Sequence, residues 1–409
     1  MLAAVLLSFL ATAGLFYVNI MPALVSGLID GLHFSAQQAG FVASANVYGA
    51  AFGALISVFF VRRIAWRPFA IAFLLGLITA DVISVFVTQA PTLIALRFVH
   101  GTIGGMLVGT GFSVIARTRV PDRTFGMLLV VQFGLGGLGM MILPRIVPLF
   151  GTAALFGALI LFSTVTLAML PFIAEYKQPA PAATKVSARS SVRWGPLTLA
   201  LLSVLLFQAG NMALASYMIE LGRAYGLGTD FISTTLGIAG WIGALGSLLV
   251  VFMGTRFGRF WPLLIALILT VVGNALFHFS AMATVYVAAN IGTAITWAFV
   301  ISYMLGLCAA FDATGQTATL GGFISKLGLA TGPLLGGLLV GKGDYALLID
   351  LAIAAILLSG VALVPAALLD RGKSEARHLL IESEDGRCCD GDGGEDGAGT
   401  AVVTVGNEV

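Results

Sequence analysis

Apolar runs of about 20 residues, each long enough to cross roughly 30 Å of hydrocarbon as a helix, recur along the whole chain with few charges inside them. The runs are continuously apolar. Strands of an outer-membrane barrel would instead alternate polar and apolar residues, so helices are predicted. Twelve spans are expected, at residues 2 to 25, 37 to 61, 68 to 88, 91 to 116, 124 to 149, 151 to 174, 196 to 222, 231 to 253, 261 to 281, 283 to 309, 317 to 340 and 345 to 369. The first run has no basic segment ahead of it and the next span follows closely, so a retained helix is expected there, not a cleaved signal peptide. Between the sixth and seventh spans stands "EYKQPAPAATKVSARSSVRWGP", a polar, basic, Pro- and Ala-rich stretch that divides the helices six and six. The expected architecture is therefore an all-α integral membrane protein. Residues 1–175 form one six-helix bundle, 176–195 a cytoplasmic linker, 196–370 a second bundle, and 371–409 a Gly-rich, acidic, disordered tail.

Composition agrees: of 409 residues, 59% are hydrophobic and 10% charged, and the mean hydropathy of +1.02 lies far above that of a soluble domain. The net charge of +2 combines a basic body with an acidic tail, and gives no reason to expect a nucleic-acid partner. The basic residues set an orientation. With the N-terminus inside, the inner loops and linker hold Arg62, Arg63, Arg67, Arg117, Arg119, Arg123, Lys177, Lys185, Arg189, Arg193, Arg256 and Arg259, against Arg145, Arg223 and Lys342 outside. Both termini are thus expected in the cytoplasm, and the short loops point to the inner (plasma) membrane of a bacterium. Cys308 and the tail pair Cys388 and Cys389 have no His or Cys cluster beside them, so neither a metal site nor a cofactor is expected.

The two halves echo each other. "FFVRRIAWRP" after the second span and "FMGTRFGRFWP" after the eighth both place arginines and a closing proline in a short inner loop. Arg63 and Arg256 are 193 residues apart, and the same offset carries the fourth span onto the tenth, as a duplication would. Together these features resemble the major facilitator superfamily over residues 1 to 370. That family's loop motif reads roughly Gly-x-x-x-Asp-Arg-x-Gly-Arg-Arg. "TRFGRF" is similar to it at Arg256, Gly258 and Arg259, with Thr255 at the acidic position, and "VRRIAWRP" is a weaker copy with Arg62 and Ala65 at the Asp and Gly positions. Arg97, Gly101 and Gly105 of "RFVHGTIGG" resemble an Arg-x-x-x-Gly-x-x-x-Gly pattern linked in the family to proton transfer. Gly328, Gly332, Pro333, Gly336 and Gly337 have the spacing of its Gly-x-x-x-Gly-Pro-x-x-Gly-Gly motif, which marks antiporters when it lies in the fifth span; here it lies in the eleventh. The resemblance implies alternating access between two bundles around a cavity lined by the first, fourth, seventh and tenth helices.

Charge inside a bilayer costs several kcal/mol and usually faces a cavity or a partner. Asp81 and Arg97 are equidistant from the turn at Gln89 to Pro91, so they sit at similar depth in neighbouring antiparallel helices, either as a static clamp or as part of the transport machinery. His100, one turn from Arg97, has the chemistry of a proton carrier; Asp81, Arg97 and His100 are the expected proton-coupling residues. Lys326 has no acidic residue at its depth in its own or the adjacent span. On the expected cavity helices, Thr12, Phe16 and Asn19 share one face, as do Gln208, Asn211 and Ala215, and Asn290, Thr293 and Trp297. Asn19, Arg97, Gln208, Asn211, Asn290, Trp297 and Lys326 are accordingly the candidate substrate contacts, with Asn46, Tyr48 and Gln132 as further polar residues and Glu220 as a solvated one near an outer helix end. Arg97 and Lys326, one from each half, favour an organic anion or a zwitterion held through its carboxylate.

A membrane enzyme would need a nucleophile with its base, paired carboxylates or a metal cluster at one depth, and no such constellation stands in the sequence. No Gly-rich phosphate loop with Lys and Ser/Thr marks a primary pump. The expectation is a proton-coupled secondary transporter of a small organic solute. An efflux antiporter for uncharged or lipophilic compounds, or an uncoupled facilitator, is the alternative; a channel or receptor is a more distant one.

Overall fold

The computed structural model describes residues 2–60, 65–118, 121–174, 176, 194–254, 256–311, 316–341 and 343–371. Most of the expected linker and tail, and with them Cys388 and Cys389, lie outside these residues. The first half comprises α1 (Leu2–Ala13), α2 (Phe16–Asn19), α3 (Met21–Leu32), α4 (Ala36–Phe60), α5 (Trp66–Phe86), α6 (Ala90–Ile115), α7 (Pro121–Phe150) and α8 (Ala153–Met169). The second comprises α9 (Trp194–Ala215), α10 (Met218–Ala224), α11 (Thr229–Met253), α12 (Phe260–Ala275), α13 (Ala283–Ala309), α14 (Gln316–Val340) and α15 (Tyr345–Ser359). Eleven helices among the described residues are long and apolar enough to cross a membrane, and the first span adds the shorter α1 and α3. The protein is a multi-pass membrane protein. Large apolar side chains such as Phe59, Phe86, Leu149 and Val251 are exposed on the outside of the bundle, where lipid accommodates them. Below, the near face is the one where α1 begins, and the far face the opposite one.

Two spans depart from the expected single helices. The first runs on to Leu32 in three pieces, and the seventh breaks between α9 and α10. Pro22 explains one interruption, because its ring has no N–H and crowds the preceding turn. The residue at this break, Ile20, has φ −110° and ψ 19°, and Tyr217 at the break in the seventh span has φ −113° and ψ 20° without any proline. The matching angles place equivalent interruptions in the two halves.

Close helix approach is the main packing device. The carbonyls of Asn46 and Ala50 on α4 occupy the space where side chains on Gly101 and Gly105 of α6 would stand, and reciprocally the carbonyls of Phe98 and Thr102 crowd Gly49 and Gly53. Small residues thus let the two backbones touch, so dispersion contacts replace the hydrophobic drive that lipid cannot provide. In α14, Gly328 and Gly332 seat the helix on α9, where a Cβ would come 2.7 Å from the Leu205 carbonyl and 2.6 Å from the Ala213 amide nitrogen. The halves meet through α4 against α14 and α7 against α11.

The α4–α6 ladder yields a direct expectation. Gly105→Ala forces the Ala50 backbone away and is expected to cost about 1–3 kcal/mol, seen as a lower melting temperature in detergent. Gly157→Ala, in α8 with no atom within 4 Å of the added carbon, is expected to be neutral or to stabilise by up to about 1 kcal/mol. Equal melting of wild type and Gly105→Ala would contradict the packing account.

Candidate functional site

A cavity of about 240 Å³ lies between the halves, at the two helix breaks. Val18, Asn19 and Pro22 border it at the first break, and Ala215 and Met218 at the second. Gln132, Asn211, Asn274, Asn290, Thr293 and Trp297 supply the rest of its polar surface, while Phe133, Met140, Leu236, Phe277 and Leu329 supply apolar walls. No charged residue is among the described residues of the lining.

Several of these side chains are already held. Asn19 and Gln132 bind each other: the Asn19 amide donates to the Gln132 carbonyl at 3.2 Å, and Gln132 Nε2 donates to Asn19 Oδ1 at 3.0 Å. Asn211 and Asn290 each donate to the carbonyl four residues back at 2.8 Å, which fixes their rotamers. Trp297 Nε1 donates to Gln208 Oε1 at 2.8 Å, and Gln208 Nε2 donates to Ser325 Oγ at 2.8 Å. Gln208 is therefore buried behind the wall, orienting the indole, and is not part of the lining. Asn274, on α12, was not singled out by sequence. It is buried, its Nδ2 has no partner among the described residues, and it borders the cavity. Its one available signal was an amide in an otherwise apolar ninth span.

Arg97 is elsewhere. The expected contact with Asp81 is present, with Nη1 at 2.7 Å from Oδ1 and both side chains fully buried. Its Nη2 donates to the Ala80 carbonyl at 3.1 Å and to Ser84 Oγ, and the guanidinium lies 4.9 Å from the Phe156 ring centre. Arg97 thus faces α5 and α8 inside the first half and does not line the cavity. Lys326 does not line it either; it is half-buried, one turn from Leu329. The expected pairing of Arg97 and Lys326 around an anion has no counterpart in this geometry, because the guanidinium is turned toward Asp81, Ala80 and Ser84 inside the first half.

His100 joins the same cluster. Asn46 Nδ2 donates to His100 Nδ1 at 2.7 Å and to the Arg97 carbonyl at 3.2 Å. Nδ1 therefore acts as the acceptor, and Nε2 carries the hydrogen toward the Asp81 carboxylate at 3.3 Å. A second proton on Nδ1 would require the Asn46 amide to turn over and give up the Arg97 carbonyl. Tyr17, in α2 beside the cavity residues Val18 and Asn19, has its ring centre 6.2 Å from that of His100 and a buried hydroxyl without a partner. Tyr48 bonds Thr331 across the halves at 2.8 Å and borders an apolar cleft shared by α4, α6 and α14.

The polar ties between the halves are one-sided. Among the described residues they are Tyr48 with Thr331 and Trp241 Nε1 with the Gly134 carbonyl at mid-depth, then Tyr217, Arg145 and Arg223 toward the far face. The Tyr217 hydroxyl is shared between the carbonyls of Ala36 (2.9 Å) and Pro333 (3.0 Å). Arg145 pairs with Asp230 at 3.0 Å, and Arg223 with Asp30 at 2.8 Å. Toward the far face the halves are thus fastened to each other at three places among the described residues.

No family model matches the sequence, and no curated protein matches it in sequence. Solved structures do match in fold. The nucleoside transporter NupG aligns at 16% identity over 90% of this chain and 98% of its own, with a TM-score of 0.62. A D-xylose-proton symporter aligns at 14% identity over 88% and 96%, with a TM-score of 0.69. A bacterial homologue of the human lysosomal transporter Spinster, inward-facing and unoccupied, aligns at 13% identity over 89% and 95%, with a TM-score of 0.62. The chain has the major facilitator fold.

Removing Asp81 alone leaves a buried guanidinium without its counter-charge. Asp81→Asn is expected to destabilise by about 3–5 kcal/mol, and the double variant Asp81→Asn, Arg97→Gln to recover part of that loss. Thermal unfolding of the four proteins checks this; strictly additive losses would show that the two groups are not coupled.

Proposed function

We propose that this protein is a proton-coupled secondary transporter that moves a small, uncharged, polar organic solute across the membrane by alternating access of its two halves. One observation carries the reading: a cavity lined by amides, a threonine and an indole, without charge among its described residues, lies where both bundles break a helix, and its far side is closed by ties between the bundles. Breaks of this kind present backbone groups to a solute at a depth where water is otherwise absent. Amide side chains both donate and accept, which suits hydroxyl or amide groups, and the apolar walls suit a ring face. D-xylose and nucleosides, named for two of the structures of similar fold, are solutes of that chemistry.

Proton coupling rests on the cluster behind the cavity. His100 joins a neutral-ring hydrogen bond from Asn46 to the Asp81 carboxylate, and Tyr17, its ring centre 6.2 Å from that of His100, directly precedes the cavity residues Val18 and Asn19. A proton reaching His100 would weaken the link between Asn46 and the Arg97 backbone. That shifts α4 relative to α6, and α4 is the helix that meets α14 of the other half. The chemistry of rocking is thus attached to the side of the cavity that the first half provides. Both termini are read as cytoplasmic from the basic inner loops, which makes the closed far face the outer one.

Two measurements test this. In proteoliposomes, uptake of a solute found by thermal-shift screening is expected to follow an imposed pH gradient and to collapse with a protonophore; flux that follows the solute gradient alone rejects the coupling. Neutral polyols and nucleoside-like compounds are expected to raise the melting temperature, and carboxylates are not. Asn290→Ala and Asn274→Leu are each expected to weaken binding about tenfold, as loss of a buried hydrogen bond does, whereas Lys326→Gln leaves affinity within about twofold. A carboxylate ligand lost on Lys326→Gln would restore the anion reading.

A further inference from the structure

Glu220 was expected to be solvated. It is 8% exposed, and neither carboxylate oxygen makes a hydrogen bond of good geometry among the described residues; Ser26 and its own backbone N–H are the donors placed to reach it. It lies in α10, just beyond the break at Tyr217, against α3 of the other half. The groups around it are otherwise engaged. Tyr217 donates to Ala36 and Pro333, Tyr286 donates to the Met218 carbonyl at 2.9 Å, and Arg223 reaches across to Asp30 at 2.8 Å and to Ser26 Oγ at 3.3 Å, with its Nε on Thr229. Ser26 and Asp30 of α3, Arg223 of α10, Tyr217, Tyr286 of α13 and Tyr345 of α15 are the polar and titratable groups that face it.

An ionised carboxylate buried without partners costs several kcal/mol, and a neutral carboxyl much less. Glu220 and Arg223 are three residues apart on one helix, a spacing at which opposite charges meet. Arg223 therefore has two competing carboxylates, Asp30 on the other half and Glu220 on its own helix, and of these only Asp30 ties the halves together.

We propose that Glu220 is a proton-binding site of the far gate: neutral while the gate is closed, ionised when it opens, and acting by exchange of Arg223 between Asp30 and Glu220. Closing the gate takes up one proton onto the Glu220 carboxylate, and opening releases it. Glu220 lies on the far-face side of the cavity, so the proton comes from and returns to the far compartment. The site is separate from the Asp81 and His100 cluster and sets how readily the gate opens, not how many protons cross. The inference rests on the alternating-access reading for its meaning in transport, but its test needs neither substrate nor flux.

The full chain in lipid nanodiscs, with native cysteines replaced, would carry spin labels at Phe150→Cys and Met282→Cys, exposed far-face positions in opposite halves. Distance distributions between pH 5 and pH 9 then read the gate. The ratio of closed to open far gate is expected to rise about tenfold or more on acidification, corresponding to a shift of one pKa unit between the two states. Glu220→Gln, which mimics the neutral carboxyl, is expected to hold the closed distance at every pH, and Asp30→Asn to favour the open distance throughout. A wild type without pH response, a Glu220→Gln variant that keeps the wild-type response, or an Asp30→Asn variant with an unchanged gate each overturns the proposal. If Glu220→Gln fails to give monodisperse protein, the wild-type titration and Asp30→Asn still decide. Absent solute flux with an intact gate titration would refute the transporter reading and leave this site standing.

Discussion

Within the hydrocarbon layer a polar group cannot be left to water, so each one must be paired by the protein or sit where the protein admits a ligand. Serine and threonine side chains meet that demand locally by bonding the carbonyl three or four residues back, as Ser8, Thr110, Thr166 and Thr270 do. Longer groups need another helix. Asp81 with Arg97 and Asn19 with Gln132 each fasten two elements, and the chain from Trp297 through Gln208 to Ser325 fastens three, that dispersion alone would leave free to slide.

Against that background, unpaired groups are conspicuous. Among them, Asn274 borders the cavity, the Tyr17 hydroxyl is buried on a ring whose centre is 6.2 Å from that of His100, and both oxygens of Glu220 are buried toward the far face. In the proposed function these three places are assigned to solute, proton path and gate. In a bundle where most polar groups are engaged, a free one is where a change of occupant has the largest energetic effect.

The small residues serve the same end by a different route. Glycines on α4, α6 and α14 bring backbones into contact within a half and across halves, which in the proposed mechanism would pass a movement at Asn46 and His100 to the α4–α14 boundary with little slack. The far-face ties are fewer and mostly partly exposed: Arg145 with Asp230, Arg223 with Asp30. Rigid bundles joined by weak, exchangeable ties are what a rocking mechanism requires, because the bundles must survive a motion that breaks the ties.

Sequence by itself determined what depends on composition along the chain. Hydrophobic length decided the spans, and the described helices follow the expected ones within a few residues for most of the chain, because a run of apolar residues in lipid has no alternative to the helix. Equal distance from a turn was enough to pair Asp81 with Arg97; helical spacing put Asn211, Asn290 and Trp297 on shared faces with other polar residues, while the family resemblance named the helices whose Asn19, Asn211, Asn290 and Trp297 border the cavity. What the tertiary structure alone decided was direction. Arg97 turns into its own bundle and Gln208 behind the wall, since rotation of a helix about its axis is set by packing against its neighbours and not by its own pattern. The break at Ser216 and Tyr217 is announced by no proline or glycine, and Glu220 beside it is buried where α10 meets α3, a contact between residues nearly 200 positions apart.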